Sequence, residues 1–209
     1  DRLMQESDVV VRFNGGHNAW HTVKVGDKEF DLHILPSGMV TEWKENIITS
    51  GCVLGIDLKK VNNIENTFNF SRHSIVCNNT IEEIFKRDEK TWHEVRVGLI
   101  PELEKLQTWW IDITKSWLKI SGETVVIGIH NVLLDAFDEA CRIKIEGLQE
   151  IWSTWSGISR AYSSETQRFH FTLNDLIYHE DTFYDSIRAL WIAHNHIFPN
   201  IGVEALIAH

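Results

Sequence analysis

The chain has 209 residues, 43% of them hydrophobic and 24% charged, which suits a soluble globular protein with one core of ordinary size. Its net charge of −10 argues against a nucleic acid or an anionic membrane as the main partner, since both need clustered cations. No apolar run approaches the ~20 residues of a membrane helix, and Cys52, Cys77 and Cys141 are too few and too far apart for a disulfide framework or a zinc site.

Asp1 to Glu6 reads as the end of a helix. Val9-Val10-Val11-Arg12-Phe13 is β-branched and short, the pattern of a buried strand. Asn14-Gly15-Gly16-His17-Asn18 breaks both periodicities and is a loop. His21 to Val25 and Glu29 to Leu35, joined at Gly26-Asp27, read as a β-hairpin closed by Pro36-Ser37-Gly38. Ile47-Ile48 and Cys52-Val53-Leu54 form a further strand with a turn at Ser50-Gly51. Residues 57 to 90 are polar and weakly patterned, suiting a surface insertion. Apolar residues at near-helical spacing predict a helix over Leu99 to Leu118, with Pro101 in its first turn. Thr124 to Ile129 follows as a strand and Val132 to Leu148 as a helix. Trp152 to Tyr162 reads as a loop and Asp181 to His196 as a last helix. Strands alternating with helices predict an α/β layered fold, a partly parallel central sheet flanked by helices.

Local chemistry is sparse. His17 and His21 are four apart, but paired glycines precede them and no HExxH frame is present. His194 and His196 diverge on a helix and read as surface residues. The three cysteines read as buried thiols. Trp109, Trp110 and Trp117 read as core and boundary aromatics among an unusual nine tryptophans. Asn69-Phe70-Ser71 and Asn78-Asn79-Thr80 match the glycosylation pattern, which matters only in a secreted protein, and no signal peptide is evident.

One ordered run says more. Val10 to Thr22 resembles the adenylosuccinate synthetase pattern V-R-[YFC]-[QN]-G-G-[HN]-N-A-G-H-T. It continues without a gap through Phe30-Asp31-Leu32-His33-Ile34-Leu35-Pro36-Ser37-Gly38, close to the family's H-L-[LI]-P-S-G. Ser50 to Leu54, His130 to Ala140, Ile151 to Arg168 and Asn174-Asp175-Leu176 fit later family segments in the same order. The segment from roughly 60 to 120 looks longer and different. The resemblance implies a single domain over 1–209 with a divergent insertion there, corresponding to the N-terminal half of the family. The family's GDEGKGK loop should lie just before Asp1.

By that resemblance, GTP and Mg²⁺ would serve in joining IMP to aspartate during purine nucleotide biosynthesis. Developing charge on phosphoryl oxygens calls for N–H donors and cations, and glycines let the backbone approach. His21 matches the catalytic acid. Gly15, Gly16, His21 and Thr22 match the GTP phosphate loop, and the Trp20 backbone matches the metal position. Asn18, Ser153, Thr154 and Arg168 match IMP contacts, Arg168 across a homodimer interface, where a guanidinium suits phosphate. The resemblance implies a cytoplasmic location and neither nucleic-acid nor membrane partners. Trp20, Trp152 and Trp155 stand at glycine or small or basic family positions, Ser159-Arg160 replace Gly-Pro, and Glu165 replaces Lys. A family ligase inactive as this chain alone is therefore expected. The alternative is a non-catalytic purine-nucleotide-binding or dimerisation module.

Overall fold

The computed structural model describes residues 6–59, 68–70, 74–85, 96–144 and 154–208. The strands are β1 (Val9–Arg12), β2 (His21–Val25), β3 (Lys28–Leu32), β4 (Glu45–Ile48), β5 (Val53–Gly55), β6 (Leu58–Lys59), β7 (Asn69–Phe70), β8 (Ile75–Val76), β9 (Arg96–Val97), β10 (Trp117–Ile120) and β11 (Val125–Ile127). The helices are α1 (Ile81–Ile84), α2 (Leu99–Thr108), α3 (Ile129–Lys144), α4 (Ile158–Thr166), α5 (Leu173–Tyr178), α6 (Glu180–His194) and α7 (Val203–Ile207).

The centre is parallel, as the alternating elements predict. β4 lies between β1 and β10, with Val11 and Lys119 both opposite Ile47. Past a bend at 49–52 the same layer resumes as β5 beside β11, and a parallel bridge from Gly15 to Cys52 carries β1's side of it onward. Gly51 makes the bend possible, because a Cβ there would lie 2.3 Å from the Phe13 carbonyl oxygen. The antiparallel β2–β3 hairpin pairs Val23 with Phe30.

Two apolar clusters flank this layer. One gathers Val23, Phe30, Leu32, Ile48, Leu54 and Leu106 between hairpin, sheet and α2. The other packs β5 and β11 against α3, α4 and α6 through Val53, Ile127, Leu133, Ala161, Ile187 and Trp191. On α6 the period of Phe183, Ile187, Leu190 and Trp191 matches the expected inward face, with Leu190 half-buried.

Several boundaries differ from the sequence reading. The expected 99–118 helix stops at Thr108, and Trp117 to Ile120 is a strand. Leu118 and Ile120 pack into the core while Trp117 and Lys119 alternate outward, a period of two that satisfies β4's open edge. Trp110 and Trp117 are therefore exposed rather than core residues. The expected 152–162 loop contains the start of α4, a serine-rich helix held by burial of Ala161 and entered from Gly157. α3 begins at Ile129, where the Asn131 side chain accepts from the Gly128 N–H (2.9 Å). β3 ends at Leu32 rather than Leu35, because the next three N–H groups bond a side chain instead of a strand. β1 is not fully buried: Val9 and Val11 are 45% and 48% exposed, as befits the edge of the sheet. Cys52 and Cys77 are buried free thiols, and Cys141 is only half-buried. The helix end expected over Asp1 to Glu6 lies outside the described residues except for Glu6, which is helical.

Candidate functional site

The carboxyl end of β1 holds the densest polar constellation among the glycine-loop residues. In open α/β sheets the crevice beyond such strand ends is where ligands bind. Arg12, the last residue of β1, turns its guanidinium back over the loop. Its Nη2 donates to the Gly16 carbonyl (3.0 Å) and its Nη1 to His21 Nδ1 (3.3 Å). An arginine can only donate, so His21 Nδ1 accepts and the neutral ring carries its proton on Nε2. Burial lowers the His21 pKa from its usual value, and the neighbouring Arg12 and then His33 lower it further. Arg12, Asn14, His21 and Ser37 line a cleft of about 270 Å³ at this point.

The loop is clamped from behind. Gly15 has φ 91°, a conformation that favours glycine. Its N–H donates to the Tyr162 hydroxyl (2.8 Å), which in turn donates to the Gly51 carbonyl (2.8 Å). Tyr162 thus ties α4 to both the loop and the β4–β5 bend. Burial raises its pKa, keeping the proton that this bridge requires. A Cβ on Gly16 would fall 2.4 Å from Ile158 Cδ1, so the loop lies flush on α4.

A second clamp comes from α2. The buried Glu102 carboxylate accepts from the N–H groups of His33, Ile34 (2.8 Å) and Leu35 (3.2 Å). It holds the chain leaving β3 as a nest of donors around one anion. The His33 ring donates from Nδ1 to the His17 carbonyl (3.2 Å), so Glu102 fixes the glycine loop through His33.

The structure thus brings together Gly15, Gly16 and His21 from the sequence-predicted set, with Arg12 added. Thr22 lies on the hairpin and donates to Asp31 Oδ1 (2.8 Å). Asn18 and Thr154 are exposed, and Ser153 lies outside the described residues, as does Trp152. Arg168 lines a different pocket, past the end of α4, that shares no residue with the His21 cleft. Trp20 is 69% exposed, its ring edge-on to His33 at 6.5 Å. Its backbone is not left-handed, so it carries no strain of that kind. Trp155 does sit at φ 51°, where a tryptophan is costly. His17 is buried and His21 half-buried, and no metal-binding group of three His, Cys, Asp or Glu occurs among the described residues. His194 is half-buried rather than on the surface, its Nδ1 bonded to the Leu190 carbonyl (2.9 Å).

Sequence reasoning gave no role to Arg12, Glu102 or Tyr162. Arg12 and Tyr162 stand inside the quoted motifs, where their matching type was the available signal. Glu102 is one acid among several on an amphipathic helix, and nothing local marks it as the buried one.

Comparison with known proteins agrees with the run from Val10 to Gly38. The family model for adenylosuccinate synthetase matches residues 1–81 and 95–208. The unmatched stretch, 82–94, is shorter than the 60–120 segment expected to diverge; 60–81 and 95–120 match, and the latter supplies α2 and β10 to the core. The adenylosuccinate synthetase of Clostridium novyi is 31% identical over 206 residues, 99% of this chain and 38% of that protein. The Clostridium kluyveri protein of the same description is 30% identical over 207 residues, again 38% of its length. The chain therefore spans about two-fifths of the curated relatives it matches. The solved structure of fully ligated adenylosuccinate synthetase from Plasmodium falciparum superposes with a TM-score of 0.59 at 22% identity. That match covers 93% of this chain and 34% of that one.

Proposed function

Because this chain belongs to the adenylosuccinate synthetase family, we propose that its glycine loop serves the family reaction, the GTP-dependent joining of IMP to aspartate, and that this chain alone does not complete it. The convergence of Arg12, Gly15, Gly16 and His21 at the end of a parallel strand carries this reading. The Gly15 N–H is taken by Tyr162, so the donors offered to the cleft are side chains: Arg12 as the fixed cation and the neutral His21 ring through Nε2–H. A phosphoryl anion in the 270 Å³ cleft would oppose the fields of Arg12 and His33 and raise the His21 pKa toward the range where it can act as an acid.

Asn18, Thr154, Ser153 and Arg168 are assigned to IMP, with Arg168 reaching a partner's phosphate in a homodimer. Gly15, Gly16, His21 and Thr22 are assigned to the GTP phosphates. Mg²⁺ favours oxygen donors in an octahedral shell. The described side chains supply no cluster of that kind, and the Trp20 carbonyl alone does not make one, so these residues do not fit a protein-built Mg²⁺ site. We place the protein in the cytoplasm, as one domain over 1–209.

Inactivity of the isolated chain is supported by the tryptophans. Trp20 places a large ring beside His33 next to the catalytic candidate, and Trp155 strains the turn beside Thr154. The same observation favours the second reading, a non-catalytic purine-nucleotide module. Incubating the chain with IMP, aspartate and MgGTP should yield no adenylosuccinate, and turnover above a no-enzyme control refutes the claim of inactivity. Calorimetry with IMP alone then separates a binding module from a structural remnant. Saturable heat lost in Asn18→Ala supports nucleotide binding, and absence of heat leaves a scaffold.

A further inference from the structure

The pocket that holds Arg168 has a chemistry of its own. It opens between α3, α4 and α6 with a volume of about 590 Å³, within the ~300–1,000 Å³ typical of small-molecule sites. Among the described residues, no Asp or Glu lines it, although the chain's net charge is −10. Two guanidiniums do, those of Arg160 and Arg168. Arg160 donates to Asp138 from Nη2, while its Nε is shielded from solvent with no partner among the described residues. His170 Nδ1 in the same wall is likewise shielded and unpartnered.

Two arginines and no acid among the lining residues favour an anionic, acceptor-rich guest. The remaining wall is apolar and aromatic. Phe171 stands edge-on to the His130 ring at 5.8 Å and to Phe183 at 5.1 Å, with Leu134 and Leu190 beside them. His130 is 2% exposed. Burial, then the charge of His194, lowers its pKa to about 4, so it serves as a neutral partner.

We propose that this pocket binds a small aromatic oxyanion, a phosphomonoester or a carboxylate, with Arg160 and Arg168 at the charged end and Phe171, Leu134 and Leu190 around the ring. Guanidinium forks match the two oxygens of either group. The site contains neither Asn18, His21 nor Thr154, so it stands apart from the proposed nucleotide site and shares with it only Arg168.

Calorimetry of the full chain with phenyl phosphate, benzoate, inorganic phosphate and benzyl alcohol tests this. At least one of the two aromatic oxyanions should give saturable heat below ~10 mM. Inorganic phosphate and benzyl alcohol, each offering half of the recognised chemistry, should bind more weakly. Tighter binding of phenyl phosphate assigns the phosphomonoester, and tighter benzoate the carboxylate. Arg160→Gln removes the charged fork and should weaken binding at least about tenfold. Ala189→Phe, on the exposed face of α6 at the pocket wall, should fill the space and abolish binding while leaving circular dichroism unchanged. Asn18→Ala should bind as the parent does. No saturable heat from either aromatic oxyanion overturns the proposal. So does binding that survives a folded Ala189→Phe, or binding lost in Asn18→Ala, which would place the heat at the proposed nucleotide site. Should the pocket variants fail to fold, ring-proton NMR of the parent decides, since binding that leaves the His130 and His170 signals unmoved also overturns it.

Discussion

Replacing Trp110 by glycine should raise the melting temperature of this protein. Trp110 lies just past the end of α2 with φ 63° and 92% of its surface exposed. A left-handed backbone costs a residue with a Cβ ~1–2 kcal/mol, and so exposed a ring recovers little of that by burial. Glycine removes the cost but enlarges the freedom of the unfolded chain by ~0.4–1 kcal/mol. The net gain is about 0.5–1 kcal/mol, which at this chain length is a rise of ~1–4 °C. Thermal melts followed by circular dichroism at fixed protein concentration measure it. Trp110→Ala is the control, because it deletes the ring yet keeps the Cβ and the strain. If Trp110→Ala rises as far as Trp110→Gly, or if Trp110→Gly does not rise at all, the conformational argument is refuted.

Three further outcomes are expected. Tyr162→Phe deletes the bridge between Gly15 and Gly51 and should cost ~1–3 kcal/mol in urea unfolding, since the Gly15 N–H loses its acceptor; a change below ~0.5 kcal/mol would show that water replaces the bridge. Glu102→Gln should cost a similar ~1–3 kcal/mol, because an amide cannot accept from all three N–H groups of residues 33–35 that the carboxylate serves; unchanged stability with unchanged protease sensitivity of the glycine loop contradicts the clamp. His130 is held neutral, its pKa lowered to about 4 by burial first and His194 second. The unfolded chain takes up that proton near 6.5 and the folded chain only near 4, so the stability is intact above pH 6.5 and falls as pH drops through that window. The loss approaches ~3 kcal/mol at the acid end. His130→Gln should flatten the difference between urea melts at pH 7 and pH 4.5, and an unaltered slope argues that other groups carry it.

The run from Val10 to Gly38 was legible because its constraints are local. Paired glycines break the strand, Gly26-Asp27 turns the hairpin, and alternation of Val23, Phe30 and Leu32 sets its inner face. The α/β class and the inward face of α6 follow from periodicity in the same way. The strand at Trp117 to Ile120 was not legible, because its apolar residues fit a helical extension of α2 until the open edge of β4 is present to pair with them. α4 was read as loop for a related reason: its serines have weak helix propensity, and the burial of Ala161 that holds it exists only after folding.

At the site, sequence marked which glycines and which histidine would stand together, since they are neighbours in one motif. It could not show that the Gly15 N–H is committed to Tyr162, 147 positions away, or that Glu102 rather than another acid of α2 is buried beneath residues 33–35. Those contacts depend on helices docking against a sheet, and only a folded chain brings such distant donors and acceptors within hydrogen-bonding distance.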